Sequence, residues 1–484
     1  MLILTNSNHK VYRRSGTSYF NASTGTVQSS NQGELILVDE HGYVDPSTPF
    51  MFDYSELTSI TVIRCDIDPL TVKGGTITTI ACGIDAVYTN GSGGTSKFGY
   101  YARGLLVERS NTTVENVKHV VIGEITPEDH ATNDKQGAHY SGFFYATNSS
   151  NVLFKNCVLQ GRRYYGVSGT YDYGAKMVNN ITLDGCVQSN FWLDENDNPS
   201  STDTGITSMK TNSINGSSVR HCWGIGGTNF CKNMNYWNSR LSRFDAHCGL
   251  YNGSIINCDV TFFSLIGKGE FIIKDTNWYS ASTSSTDNAL IYLRGDYGST
   301  WDGEIKIQNL NAYTAEFNNF KLVYHGYKNW YYGYTCCFPS IEIDNLKIYK
   351  QPGDPSTRTE LAAGTKITFM NYPSENNMHL ENTASVAPTR VFYNEETGTY
   401  SLTTNKAVTG LVNDNPITPP EYIRFLNNEE GYDFTSTFDV FMARSTFFNN
   451  TRIVVGTKKD GVITEINVIN PGKSEDNTPI LPFD

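Results

Sequence analysis

The sequence has no apolar run near the roughly 18 residues that a membrane-crossing helix requires. Its start, Met1-Leu-Ile-Leu-Thr-Asn-Ser-Asn-His-Lys10, has too short an apolar stretch for a secretory leader. That predicts either a trimmed chain or release by lysis, as from a virus particle. The expected place of work is extracellular or virion-associated. Lys and Arg are scarce, 37 against 49 Asp and Glu, and they form no run. A net charge of −12 without a basic patch excludes nucleic acid as the expected partner, because phosphate binding needs clustered cations. No long segment carries the 3.6-residue period of an amphipathic helix. Cys-x-x-Cys pairs, phosphate loops, His-Glu-x-x-His and Gly-x-Ser-x-Gly are all absent, which sets aside structural zinc and three standard catalytic motifs. The acidic stretch Asp194-Glu-Asn-Asp-Asn198 offers oxygen ligands for Ca²⁺. It lacks the Gly and distal Glu of a calcium loop, so it reads as a solvated loop. No metal or cofactor is expected.

What is present is short and repetitive. Hydrophobic residues make up 38%, enough for a large core and too many for disorder. The 30 Tyr and 25 Phe suit a surface that stacks on sugars, and equally suit strands. One pattern recurs: alternating apolar positions, then Asn, Asp or Gly, then Cys. It reads Asn151-Val-Leu-Phe-Lys-Asn-Cys157, Asn180-Ile-Thr-Leu-Asp-Gly-Cys186, Gly216-Ser-Ser-Val-Arg-His-Cys222 and Asn252-Gly-Ser-Ile-Ile-Asn-Cys258. Copies without Cys include Asn233-Met-Asn-Tyr-Trp-Asn-Ser239 and Glu270-Phe-Ile-Ile-Lys-Asp-Thr276. Ser239 to Cys258 spans 19 residues and Cys258 to Thr276 spans 18. A strand-turn unit of that length cannot bury its own apolar face, so units must stack. The expected fold is all-β, a right-handed parallel β-helix over residues 55–365. An N-terminal cap, 1–54, precedes it, and a β-rich capping or accessory region, 366–484, follows. Val391–Leu402 reads as a hairpin there. Cys at 157, 186, 222 and 258 are expected to be unpaired, as small buried hydrophobes.

Candidate chemistry falls on departures from the repeat. In Ser242-Arg-Phe-Asp-Ala-His-Cys-Gly249, period two puts Phe244 and Ala246 on one face and Arg243, Asp245 and His247 on the other. Burying three ionisable groups is costly, so these are expected to project into solvent or a groove. Leu293-Arg-Gly-Asp-Tyr-Gly-Ser-Thr-Trp301 repeats the Arg-x-Asp spacing with Arg294 and Asp296, and adds Tyr297 and Trp301 as substrate contacts. Tyr165-Gly-Val-Ser-Gly-Thr170 and Trp223-Gly-Ile-Gly-Gly-Thr228 form an internal duplication. Tyr171 and Asp172 break it and become candidates. His139 and Tyr140, at the end of a polar loop, are candidate base, acid or sugar contacts, or simply close a turn.

The Asn-Cys units, with Arg243-Phe-Asp-Ala-His-Cys-Gly249 and Leu293–Trp301, resemble the pectate-lyase-like β-helix superfamily over about residues 55–350. The resemblance implies a protein that works on polysaccharide: a lyase, a glycoside hydrolase, or a phage tailspike depolymerase, such proteins often being trimers. The calcium-carboxylate cluster of pectate lyases and the Asp pattern of polygalacturonases are missing, so those two activities are not implied. A lyase would use Arg243 or Arg294 to neutralise a uronate carboxylate and His247 or Tyr171 to take the proton. A hydrolase would need two carboxylates from Asp172, Asp245 and Asp296, about 5–5.5 Å apart for retention or about 6.5–9.5 Å for inversion. The alternative is a non-catalytic tailspike, tail fibre or adhesin that holds glycans.

Overall fold

The computed structural model describes residues 1–12, 29–80, 104–122, 143–159, 173–188, 228–279, 289–314, 321–325, 336–350, 420–426, 452–459 and 462–469, with short strand segments between them. Within those ranges Ser242, Asp296, Gly298 and Ser299 fall outside the described residues, as do the side chains of His247, His325, Lys350 and some others. The chain is all-β: no helix occurs among the described residues, so none is long and apolar enough to cross a membrane.

Most strands pair in parallel. Phe144–Lys155 lies beside Tyr173–Asp184, then come Thr228–Trp237, Phe244–Ile256, Gly267–Tyr279, Trp301–Thr314 and Ser340–Lys350. Strand alternation explains the core. Phe154, Leu183, Tyr236, Ile255, Ile273, Ile307 and Ile343 stand in register and are all buried. Their sequence neighbours Thr182, Asn235 and Lys306 are only half-buried. Each large apolar side chain so placed stabilises the fold by about 1.5–3 kcal/mol. The expected 19- and 18-residue steps hold between Asn238 and Asn257 and between Cys258 and Thr276. Other steps are 29, 53, 34 and 36 residues.

The repeat's Asn residues mark corners. Asn111, Asn151, Asn180 and Asn233 all have φ between +52° and +57°. Asn tolerates this left-handed backbone better than most L-residues. Their amides stack along the ladder, each donating to the one before at 2.9, 3.0 and 2.7 Å. A second column joins Asp275, Asn309 and Asn345 in the same way. Gly185, Asn238 and Asn257 are further left-handed corners, and the residue after each turns inward and donates to a backbone carbonyl: Cys186 to Phe154, Ser239 to Leu183 and Cys258 to Tyr236. That explains why Cys, Ser and Thr interchange there.

Cys157, Cys186 and Cys258 are buried free thiols, as are Cys231 and Cys248; Cys222 lies outside the described residues. Burial pushes Cys231 and Cys258 up to about 12 and Cys186 well above the usual thiol value. In the native protein at neutral pH these three will resist alkylation, and they will react once the chain is unfolded. Mass mapping of an alkylated sample checks this, and native labelling of Cys258 would contradict it. Since the folded values lie above the unfolded one, near 9, this contribution to stability is intact below that pH and shrinks as pH rises past it.

Within residues 1–63, Leu2–Val11 lies between Ser30–Ile36 and Ser59–Val62 in an antiparallel sheet. It is fastened along one flank of the ladder. Asn179 donates to the Leu35 carbonyl at 3.3 Å, and Asn233 to the Ser47 carbonyl at 2.8 Å. Between them Lys232 Nζ lies 2.5 Å from Glu34 Oε2, both side chains 0% exposed. Glu34 also accepts the Met51 N–H at 2.8 Å. At the other end the parallel pairing runs across residue 365, as Ile341 pairs with Ile423 and Ile423 with Ile453. Arg390–Asn394 and Thr399–Thr403 form the expected hairpin.

The internal duplication is not the structural register. It aligns Thr228 with Thr170, whereas Thr228 pairs with Ala175. The Asn180–Asn233 amide contact and the burial of Met234 opposite Ile181 fix the shorter offset.

Candidate functional site

Asp245 stands on Phe244–Ile256 between Phe244 and Ala246, both fully buried in the core. Period two therefore turns Asp245 to the outer side. Its register partners along the ladder are Ser264, Tyr292 and Tyr324. Arg294 follows the strand Ala289–Leu293, two steps along, roughly 10 Å. Its guanidinium reaches back, with Nη1 3.2 Å from both carboxylate oxygens of Asp245. Arg243 Nη2 donates to Oδ2 of the same group.

The expectation that these groups project freely is corrected. The side chains of Asp245, Arg243 and Arg294 are 0%, 10% and 13% exposed. Two cations folded onto one carboxylate offset the cost of desolvation that argued against burial. Aromatic rings flank them. Arg243 lies 5.4 Å from the Phe262 ring centre and Arg294 5.6 Å from that of Tyr297. Phe262, Tyr292 and Tyr324 follow one another at 5.8 and 5.7 Å. On the core side, Tyr236 packs edge-on against Phe244 at 4.9 Å. Burial, and then the Asp245 charge, pushes its hydroxyl far up, against a smaller pull from Arg243. Tyr236 is thus a fixed neutral phenol and not a base.

Thr228 pairs with Ala246 and Asn229 with Cys248, so the backbone at His247 is the extra residue of a bulge. Trp301, expected as a substrate contact, is fully buried: its indole N–H donates to the Gly269 carbonyl at 3.0 Å and its ring meets Phe271 at 5.7 Å. It is core, placed there because Trp301 opens a strand in register with Gly267. Tyr297 is retained beside Arg294. The strand His139–Ser141 pairs with Gly99–Ala102, in a two-stranded sheet separate from the ladder that carries Asp245. Tyr171, Asp172 and Asp296 lie outside the described residues.

Sequence reasoning missed Phe262, Tyr292 and Tyr324. Tyr292 was readable as the outward residue of Ala289-Leu-Ile-Tyr-Leu293. It also missed the Lys232–Glu34 pair, which carries no local signal. Among the described residues no group of His, Cys, Asp and Glu is arranged to hold a metal ion, and Asp194–Asn198 is not among them. The chain matches no protein-family model and no curated protein.

Proposed function

We propose that the chain is a right-handed parallel β-helix, related to the pectate-lyase-like proteins, that engages an acidic polysaccharide outside the cell or on a particle. One observation carries the reading: Arg243 and Arg294 gather on Asp245, beside Phe262, Tyr292 and Tyr297, on the outer side of a parallel ladder. Arginine matches a carboxylate in a planar, two-pronged way, and aromatic faces suit sugar rings. Asp245 holds the two guanidinium groups, and Arg294, the more exposed, meets the substrate carboxylate. Neutralising that carboxylate acidifies the neighbouring C–H, which is the requirement of lyase chemistry. His247, two residues after Asp245 on the same strand, is the base in this reading.

A second reading has its own support. Both oxygens of Asp245 already accept guanidinium N–H groups, which suits an orienting role better than proton transfer. The protein would then hold the glycan without cutting it, as a trimeric tailspike or adhesin does.

One incubation with acidic and neutral polysaccharides separates these readings. Ultraviolet absorbance from unsaturated uronates means a lyase, and new reducing ends without it mean a hydrolase. Neither, with retention on an acidic-glycan column, means a binder. Arg294→Ala is expected to weaken retention about tenfold to a hundredfold, the effect of losing one charged hydrogen bond. Equal retention of both proteins, or of no acidic glycan at all, would overturn the proposal.

A further inference from the structure

The corner that carries Asn148 in one strand carries Met177, Phe230 and Gly249 in the next three, all at φ between +48° and +65°. Met and Phe gain nothing from a left-handed backbone, and such a conformation costs roughly 1–2 kcal/mol for an L-residue. Asparagine, the residue that relieves this cost elsewhere in the ladder, has been displaced here. The structure shows what the large side chains do. Phe230 packs on Tyr12 at 5.6 Å, and Tyr12 on Phe52 at 6.1 Å, both from the N-terminal sheet. A Cβ on Gly249 would lie 2.9 Å from the Tyr12 ring, so only glycine admits the ring there. Tyr12 itself is buried with φ +49°. Met177 and Tyr297 pack against this same cluster. Tyr297 in turn supports the guanidinium of Arg294.

We infer that the N-terminal sheet is a positioning element of the arginine site, and that Tyr12, acting through Tyr297, fixes Arg294 over Asp245. Its bearing on ligand affinity rests on the glycan reading; the positioning itself does not. Gly249 lies four residues after Asp245 on the same strand and meets the Tyr12 ring, and the cluster that holds Tyr12 also receives Tyr297, so that cluster borders both flanks of the site. The buried Lys232–Glu34 pair holds the sheet in place.

The test uses the full chain and two readouts, hydrogen exchange and phenylglyoxal labelling of Arg294. Tyr12→Ala is expected to speed exchange at Leu293–Tyr297 and raise Arg294 labelling about fivefold, the factor for losing one aromatic packing contact. Tyr12→Phe, which keeps the ring, is expected to match the unaltered protein. Exchange at Phe271–Lys274, deep in the ladder, should not change. Unaltered Arg294 labelling in Tyr12→Ala would overturn the inference. So would faster exchange at Phe271–Lys274, which would mark general loosening. A labelling response together with unaltered glycan retention in Arg294→Ala would sink the glycan reading and leave the positioning intact.

Discussion

Asp245→Ala will lower unfolding stability by about 3–5 kcal/mol, the cost of leaving buried charge without its partner. The side chains of Arg243 and Arg294 are 10% and 13% exposed, so water cannot replace the lost carboxylate at both. Urea titration monitored by tryptophan fluorescence measures the loss. The companion variant is Arg243→Met, Asp245→Leu, Arg294→Met. It removes all three charges and fills similar volume with apolar groups, and should recover most of the stability. It should not recover glycan retention. A loss below about 1 kcal/mol in Asp245→Ala, the range of exposed pairs, would show that the cluster is solvated in solution. This result also bears on method: inactivity of an Asp245 variant cannot by itself assign catalysis, because the same substitution disturbs both arginines. Arg294 is the cleaner probe.

Glu34→Ala will release the N-terminal sheet while leaving the ladder folded. Lys232 keeps contacts to the carbonyls of Pro49, 2.6 Å, and Thr48, 3.4 Å, but loses the countercharge that Glu34 supplies. The expected cost is again about 3–5 kcal/mol. Here it falls on a unit attached along one flank, so undocking relieves it. Limited proteolysis should cut within residues 1–63 and spare Tyr173–Asp184 and its parallel neighbours. Burial pulls Lys232 below the ordinary lysine value, and Glu34 opposes that pull. With Glu34 gone, the unfolded chain binds the lysine proton more readily than the folded one. The deficit of Glu34→Ala relative to the unaltered protein should therefore shrink as pH rises toward 10.5. Lys232→Met with Glu34→Gln should hold the sheet in place, since Gln still accepts the Met51 N–H. Intact docking in Glu34→Ala would mean that the aromatic cluster around Tyr12 suffices.

The strands were legible because their rule is local. Alternation at Val152–Lys155 and Ile181–Asp184, and the Asn-Cys pair closing each unit, predict parallel pairing and free thiols from a few residues at a time. Half of the candidate site was legible for the same reason: Phe244 and Ala246 inward, Asp245 outward. What failed depends on distant partners. Asp245 is buried by an arginine 49 residues away. The strand that carries His247 has one residue more than its neighbour there, a bulge that a composition pattern cannot show. Trp301 resembled a sugar platform until its register with Gly267 sent it inward. An N-terminal cap was expected, but the pair that fastens it was invisible, since Lys232 and Glu34 are 198 residues apart.

That separation also sets an order of assembly. Glu34 leaves the ribosome before Lys232 and cannot meet it until the 198 residues between them have been made. At about 5–20 residues per second, the interval is roughly 10–40 s. During it the sheet waits with an unpaired carboxylate and the exposed rings of Tyr12 and Phe52. A segment made well before its partner is thus among the last to find its native contacts. Its docking reports that the ladder has been built as far as Lys232 and Gly249.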